Sequence, residues 1–385
     1  MKKPAKKPAK KPAKKPAKKP AKKPAPAFGQ FFLPGPTEVR PEILQAMVRP
    51  MIGHRGTEYE ALHRRVNAGL QAVFRTRRPV YLVTASATAM MEMAIRGAPE
   101  GPVLSLVNGA FAERFARIAQ RCGRRTRVST VPWGETHPHE LVEELLSSES
   151  FAAMTVVHSE TSTGALSDIV ALTELAHRYG VMCLVDSVSG VGGVRVETEA
   201  WGLDFVFTGS QKALALPPGL AFAVASEAYI LQASAAPERG RYLDPVEFEE
   251  FALRDQTPTT PAISLLYAAD AQLTDVAKEG IEARWARHEA MRALVERWIA
   301  ERRANGLAIG LLTKASEHSA TVSAITLPPE RFAADVVRAL GAKGFVIGRG
   351  YGAMQDSTIR IGHMGDHTPT GLARCLDALT SVLTS

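Results

Sequence analysis

The chain reads as an α/β protein with a mostly parallel sheet flanked by helices, followed by a smaller C-terminal αβ unit. Three observations predict this. Short, continuous apolar runs rich in β-branched residues recur through the first half of the sequence, as strands buried on both faces require. Longer segments with helical spacing of apolar residues separate them, and alternation at this spacing implies right-handed βαβ crossovers. Past residue 280 the alternation gives way to one long helical pattern and then to a short αβ series.

The elements follow in chain order. Residues 2–25 are six tandem copies of Lys-Lys-Pro-Ala, with 12 lysines and no acid. They have nothing to bury, their charges repel, and each Pro removes a donor, so residues 1–27 are expected to be a disordered tail, extended and polyproline-like. A mostly apolar stretch from Phe28 to Leu33 and the turn Pro34-Gly35-Pro36-Thr37 form an arm into the fold. Strands are expected over residues 80–83, 102–107, 153–157, 181–185 and 205–207, with helices over 58–73, 89–95, 112–121, 139–146 and 172–179. A helix over 281–305 leads to strands at 320–327 and 357–362 and helices near 332–340 and 370–383. The expected division is a large domain over 28–280, arm included, and a small domain over 281–385.

Composition narrows the function classes. The formal charge is +8, from 47 Lys and Arg against 39 Asp and Glu. Without the tail, 35 basic residues face 39 acidic ones, so the basic character belongs to the tail and not to the fold. The tail has two readings: nonspecific contact with nucleic acid or another polyanion through counterion release, or a solvated extension. Hydrophobic residues at 45% and charged residues at 22% are ordinary for a soluble globular protein. No apolar run is long enough for a membrane span, no apolar segment follows the basic start as in a secretory signal, and Pro at every fourth residue prevents the helix of a mitochondrial presequence. Cys122, Cys183 and Cys375 form neither a metal-ligand spacing nor a disulfide framework, so a cytoplasmic location is expected.

Ligands of parallel sheets bind beyond the carboxyl ends of the strands, which directs attention to the residues just past each apolar run. The runs deliver Asp186, then Thr208-Gly-Ser-Gln-Lys212, then His158-Ser-Glu-Thr-Ser-Thr-Gly164, then Thr84-Ala-Ser-Ala-Thr88 at the start of a helix. Strand ends alone leave two readings open, since an acid and a lysine there can be a site or a plain ion pair.

Several longer patterns occur together in order: Pro34-Gly-Pro-Thr37 with Gly53-His-Arg55, the 158–164 stretch, Asp186-Ser-Val-Ser-Gly-Val-Gly-Gly193, Thr208-Gly-Ser-Gln-Lys-Ala-Leu214 with Pro217-Pro-Gly219, Gln256-Thr-Pro258, and Ile359-Arg-Ile-Gly-His-Met-Gly365. In these the chain, from about Phe32 to its end, resembles the class V aminotransferases of the fold-type I pyridoxal-phosphate enzymes, and within them the alanine/serine–glyoxylate group. The resemblance implies a seven-stranded-type sheet in the large domain and pyridoxal 5'-phosphate as cofactor. It implies Lys212 as the residue that holds the cofactor covalently and then moves the proton, and Asp186 as the partner of the pyridine nitrogen. Ser86, Ala87 and Thr88 would hold the phosphate at a helix N-terminus, although the family often has Gly where this chain has Ala87 and Ala89. Phe111 matches the aromatic that stacks on the ring, Thr161 lies near the ring hydroxyl or the phosphate, and Gln211 lies near the phosphate. Gln256 and Thr259 match a pair that reaches the phosphate from the neighbouring subunit, which implies a homodimer with a shared active site. Arg360 matches the arginine that grips the substrate carboxylate and Gly35 a backbone position beside it, with Arg349 and Tyr351 near the entrance. His158 and His363 read as structural. The implied reaction moves an amino group from alanine or serine to glyoxylate or pyruvate. Other small donors (ureidoglycine, aminoethylphosphonate) remain as alternatives, as does a polyanion-binding protein acting through its tail. A desulfurase would need a mobile cysteine, which the positions of the three cysteines disfavour.

Overall fold

The computed structural model describes residues 28–236 and 239–384, so the expected tail over 1–27 lies outside the described residues. After β1 (Phe31–Phe32) and two helices, α1 (Pro41–Ala46) and α2 (Thr57–Phe74), the chain alternates as the sequence predicts. The series is β2 (Tyr81–Val83), α3 (Thr88–Gly97), β3 (Val103–Val107), α4 (Ala110–Arg121), β4 (Thr126–Thr130), α5 (His139–Ser148) and β5 (Ala153–Val157). A small hairpin, β6 (Ser159–Glu160) and β7 (Ala165–Leu166), precedes α6 (Ile169–Arg178), β8 (Met182–Asp186), β9 (Phe205–Gly209) and β10 (Ala221–Ala225). The large sheet has seven strands in the order β2-β10-β9-β8-β5-β3-β4. Only β10 runs against its neighbours, so β2, β3, β5, β8 and β9 point their carboxyl ends to one edge.

Two strands of this sheet carry no clear sequence signal. Thr126–Thr130 is an edge strand with mostly exposed or half-exposed residues, so it needs no apolar run. Ala221–Ala225 is wholly buried, but alternating alanines give it little β-branched character, and it reaches the sheet antiparallel.

Helices α7 (Glu227–Ala235) and α8 (Pro245–Ala252) join α3 and α4 on one sheet face, around Met90, Phe115, Tyr229 and Phe248. On the other face α9 (Ile263–Glu279) packs with α2 around Leu62, Leu70, Leu266 and Phe222. Gly280, at φ +83°, adopts a left-handed backbone that favours glycine and redirects α9 into the 24-residue α10 (Ile281–Ala304).

A second sheet is built from β11 (Gly310–Leu311), β12 (Val322–Thr326), β13 (Val346–Arg349) and β14 (Thr358–Gly362), covered by α10, α11 (Ala333–Ala342) and α12 (Pro369–Leu383). Its five strands run β1-β13-β14-β12-β11, so the arm residues Phe31 and Phe32 supply one edge. That pairing carries the arm past the loop holding Lys212, where the Thr37 amide donates to the Gln211 carbonyl at 2.9 Å. Among the described residues, no helix is long and apolar enough to cross a membrane.

Candidate active site

The carboxyl ends of β2, β3, β5, β8 and β9 converge on one cavity of about 170 Å³. Ser86, Ala87, Thr88, Phe111, Thr161, Asp186, Gln211 and Lys212 all line it. Eight of the twelve candidate residues therefore meet, although they span more than 120 positions of sequence.

Each is placed by its element. Asp186 ends β8 and is 2% exposed; its Oδ1 accepts the Val188 amide at 2.9 Å. It forms no ion pair among the described residues, and burial, with the nearby Glu160 charge, pushes its carboxyl up to about 7. Lys212 follows β9 and is 6% exposed, with its ammonium donating to the Pro34 carbonyl. Burial and the positive Arg360 push the amine down to about 8, which makes its neutral form accessible near neutral pH. Gly35, at φ +133°, lies against this lysine, and any Cβ there would collide with Lys212 Nζ and Cε. The positive φ itself favours glycine here, and its bare Cα leaves the room that the Lys212 side chain occupies.

At the start of α3, the first helical bonds run from the Ala89 amide to the Ser86 carbonyl and from Met90 to Ala87. Amides ahead of these donors have no partner within the helix, the ordinary condition of a helix N-terminus. Phe111 opens α4, and Thr161 donates or accepts a 2.5 Å hydrogen bond with Ser189.

Arg360, on β14, is half-buried and borders the cavity through Thr161. Its Nη1 donates to the Thr161 carbonyl at 3.2 Å and its Nε to the Arg349 carbonyl at 2.8 Å. It forms no ion pair among the described residues, and it lines an adjoining groove of about 620 Å³ with Leu33, Arg349 and Tyr351. The Tyr351 ring lies 5.4 Å from its guanidinium carbon and 5.9 Å from the Phe111 ring, centroid to centroid. Arg349 is tied to Asp356.

Gln256 and Thr259 do not reach this cavity within one chain. Gln256 donates to Glu60 Oε1 at 3.1 Å, and Thr259 is exposed, its carbonyl accepting from Thr257 Oγ1 at 2.9 Å. His158 and His363 are fully enclosed at 3% and 0% exposure, bonded to Ser187 and Ser323, and burial pushes them down to about 4 and about 3. Both are neutral and absent from the cavity lining.

Two side chains of the site escape sequence reasoning. Glu160 is fully buried and gathers four donors: the amides of Phe111 and Ala112 at 3.1 Å and the amide and hydroxyl of Ser162 at 2.9 and 2.6 Å. It fastens the 158–164 loop to the start of α4 and so fixes Phe111 and Thr161 relative to each other. A Cβ at Gly109 would lie 2.6 Å from Glu160 Cδ and from Ser162 Oγ, which explains the glycine before α4. Arg114, one helical turn past Phe111, also lines the cavity. Glu160 sits inside a motif, but nothing in the sequence tells that its partners lie about 50 positions away.

Against known proteins, the model of the class-V aminotransferases matches residues 37–363. The chain belongs to this family. An uncharacterized aminotransferase of Methanocaldococcus jannaschii is 36% identical over 340 residues, covering 86% of this chain and 87% of that protein. An L-aspartate–glyoxylate aminotransferase of Paracoccus denitrificans is 31% identical over 88% of this chain and 86% of its own. The crystal structure of an alanine–glyoxylate aminotransferase from Nostoc sp. superposes with a TM-score of 0.85 at 29% identity, covering 95% of this chain and 97% of that one. The architecture is thus the fold-type I aminotransferase fold, and class-V aminotransferases of this fold depend on pyridoxal 5'-phosphate.

The cavity fits that cofactor. A buried carboxylate without an ion pair suits a protonated ring nitrogen, a buried lysine whose amine loses its proton readily suits a carbonyl carbon, and hydroxyls at a helix N-terminus suit a phosphate. One consequence is measurable in this aminotransferase without turnover. An acid whose folded value lies near 7, above its unfolded value near 4, costs stability as pH rises through that window. Asp186→Asn is therefore expected to stabilise the cofactor-free protein at pH 8 by about 1–3 kcal/mol, the gain vanishing below about pH 4. The same change is expected to weaken cofactor binding by roughly tenfold or more, because a charged acceptor is lost. Thermal melts with and without cofactor check both signs.

Proposed function

We propose that this class-V aminotransferase moves an amino group from alanine or serine to glyoxylate or pyruvate. The observation that carries the reading is Arg360: a half-buried guanidinium with no acidic partner among the described residues, bordering the cavity of Lys212 and Asp186. A guanidinium whose charge is unpaired, with donors left beyond its two carbonyl bonds, suits one carboxylate at this position. Arg349, the other guanidinium of the groove, is already neutralised by Asp356, and the Phe111 and Tyr351 rings flank the remaining space. A donor with a small, uncharged side chain answers that environment better than a dicarboxylic one.

The residues divide the work. Pyridoxal phosphate, when bound, supplies an electron sink for the pair left as the substrate Cα–H bond breaks. Asp186 accepts the ring N–H and keeps that nitrogen charged. Lys212 would hold the cofactor between turnovers and, once its amine is free, would take the proton from Cα and pass it to the carbonyl-derived carbon of the cofactor, the second half-reaction running the transfer in reverse. Arg360 would orient the substrate carboxylate, and Phe111, pinned by Glu160, would stack on the cofactor ring. Ser86, Ala87, Thr88 and Gln211 would hold the phosphate, and Thr161, hydrogen-bonded to Ser189, would lie near the ring hydroxyl or the phosphate. Gln256 and Thr259 complete the phosphate site of a second copy in a homodimer. A reducing cytoplasm agrees with three cysteines that are all unpaired.

A donor–acceptor screen on the purified protein tests the proposal. Alanine or serine with glyoxylate or pyruvate is expected to give the highest kcat/KM. Preference for aspartate, ureidoglycine or aminoethylphosphonate would overturn it. Arg360→Ala is expected to raise KM for the donor by about 10- to 100-fold with a smaller change in kcat, since it removes a charge-assisted pair to the substrate. Steady-state kinetics on the preferred donor reads this directly.

A further inference from the structure

Arg114 stands apart from the other charged groups of the cavity in its surroundings. It is half-buried on α4, three residues after Phe111, with its guanidinium carbon 4.9 Å from the centroid of the Phe111 ring. Its Nη1 donates to Thr88 Oγ1 at 3.4 Å, and Thr88 is the first residue of α3. It forms no ion pair among the described residues. The acid next to it in sequence, Glu113, pairs instead with Arg117 at 3.7 Å, and positions 110 and 118, one turn away on either side, are Ala and Ile. An unpaired guanidinium lining a half-enclosed cavity retains its charge for something that enters it.

The charges of the cavity are unevenly distributed. Asp186 and Lys212 serve the ring and the reacting carbon. The residues at the start of α3 (Ser86, Ala87 and Thr88), like Gln211, are all neutral. A phosphate dianion seated there would have hydroxyls, amides and a helix end, but no full positive charge except that of Arg114, which already touches Thr88. Burying a dianion without a countercharge is costly, and a guanidinium answers phosphate with two parallel charge-assisted bonds.

We infer that Arg114 is the countercharge of the cofactor phosphate, reaching it across Thr88 from the helix that also carries the ring-stacking Phe111. One helix would then grip the cofactor at two points, its ring and its phosphate. This rests on the reading that the cavity binds pyridoxal phosphate, and the test separates the two.

The test compares pyridoxal 5'-phosphate with pyridoxal, which lacks the phosphate, in equilibrium binding to cofactor-free protein followed by tryptophan fluorescence. Arg114→Met is expected to weaken pyridoxal phosphate by roughly 10- to 100-fold and to leave pyridoxal within about twofold of wild type. Arg114→Lys, which keeps the charge, is expected to recover most of the loss. In the wild type, inorganic phosphate should compete with pyridoxal phosphate and raise the melting temperature of the cofactor-free protein, and both effects should fade in Arg114→Met. Equal loss for both cofactor forms, or no loss for either, would overturn the inference. Failure of the wild type to bind pyridoxal phosphate at all would overturn the reading of the cavity itself, and the inference with it.

Discussion

Lys212→Ala is expected to lower kcat by at least about 10³-fold while leaving the fold intact. A positioned general base contributes about 10²–10⁴-fold, and in the proposed role this lysine would also hold the cofactor, so the upper part of that range applies. Stability should not fall. Lys212 is 6% exposed, and burial disfavours its ammonium strongly enough to push it down to about 8. Removing a buried amine that resists its own charge relieves the folded state. Lys212→Arg is the sharper control, because a guanidinium retains the positive charge but gives no neutral amine at any working pH. If charge were the essential property, Arg would restore turnover; if the neutral amine is essential, Arg fails as Ala does. Single-turnover kinetics with the preferred donor, together with thermal melts, distinguishes these outcomes.

Arg284→Met is expected to cost about 3–5 kcal/mol of stability, from the loss of a buried charge network. Arg284 is 2% exposed and lies in the first turn of the long helix α10. It pairs with Asp366 and Glu279, each at 2.9 Å, and donates to the carbonyls of Gly192 and Ala213 at 3.1 and 2.8 Å. Arg40 of the arm meets the same Asp366 at 2.7 Å and Asp275 at 2.8 Å. One arginine therefore ties α10, the residue after Lys212, and the loop that follows Arg360. Losing it leaves Asp366, whose side chain is 10% exposed, half-paired. A melting temperature lower by on the order of 10 °C is expected from the usual scaling. The pH dependence has a definite sign. Burial raises Asp366, but the guanidinia of Arg284 and Arg40 outweigh it and hold the carboxyl below its usual value. That contribution is complete above about pH 4 and is lost as pH falls through the folded value, so wild type and variant should converge in acid. A rise in donor KM should accompany the stability loss, since Lys212 and Arg360 lose a shared anchor.

The parts of this molecule that are legible in sequence share a physical cause. Strands β2, β3, β5, β8 and β9 are buried on both faces, so continuous apolar runs mark them, and the residues just past each run fall at the ligand edge of the sheet. That is why Asp186, Lys212, Ser86 and Phe111 can be expected to meet. Thr126–Thr130 escapes because an edge strand needs no apolar pattern, and Ala221–Ala225 because alanines mark a strand poorly. The second sheet's edge escapes because Phe31 and Phe32 pair with Val346 and Ile347, more than 300 positions away. At the site, Glu160 and Arg114 are hidden for opposite reasons. Glu160 acts through backbone amides that any sequence possesses, whereas the significance of Arg114 lies in its having no ion pair among the described residues, although Glu113 precedes it in sequence. Gln256 and Thr259 belong to a surface whose proposed partner is a second copy, and one chain alone leaves them bonded to their own neighbours.

The central claim is that one lysine of this chain, Lys212, holds pyridoxal phosphate in the cavity at the carboxyl ends of the large sheet. Borohydride reduction of the cofactor-loaded full-length protein, followed by peptide mapping, tests it most directly. The twelve lysines of the N-terminal repeats are an internal control, because a nonspecific adduct would fall on them. The label is expected on the peptide carrying Lys212, at one equivalent per chain, and absent after Lys212→Ala. Label confined to the repeats, or on the same scale in Lys212→Ala as in the wild type, would contradict the account.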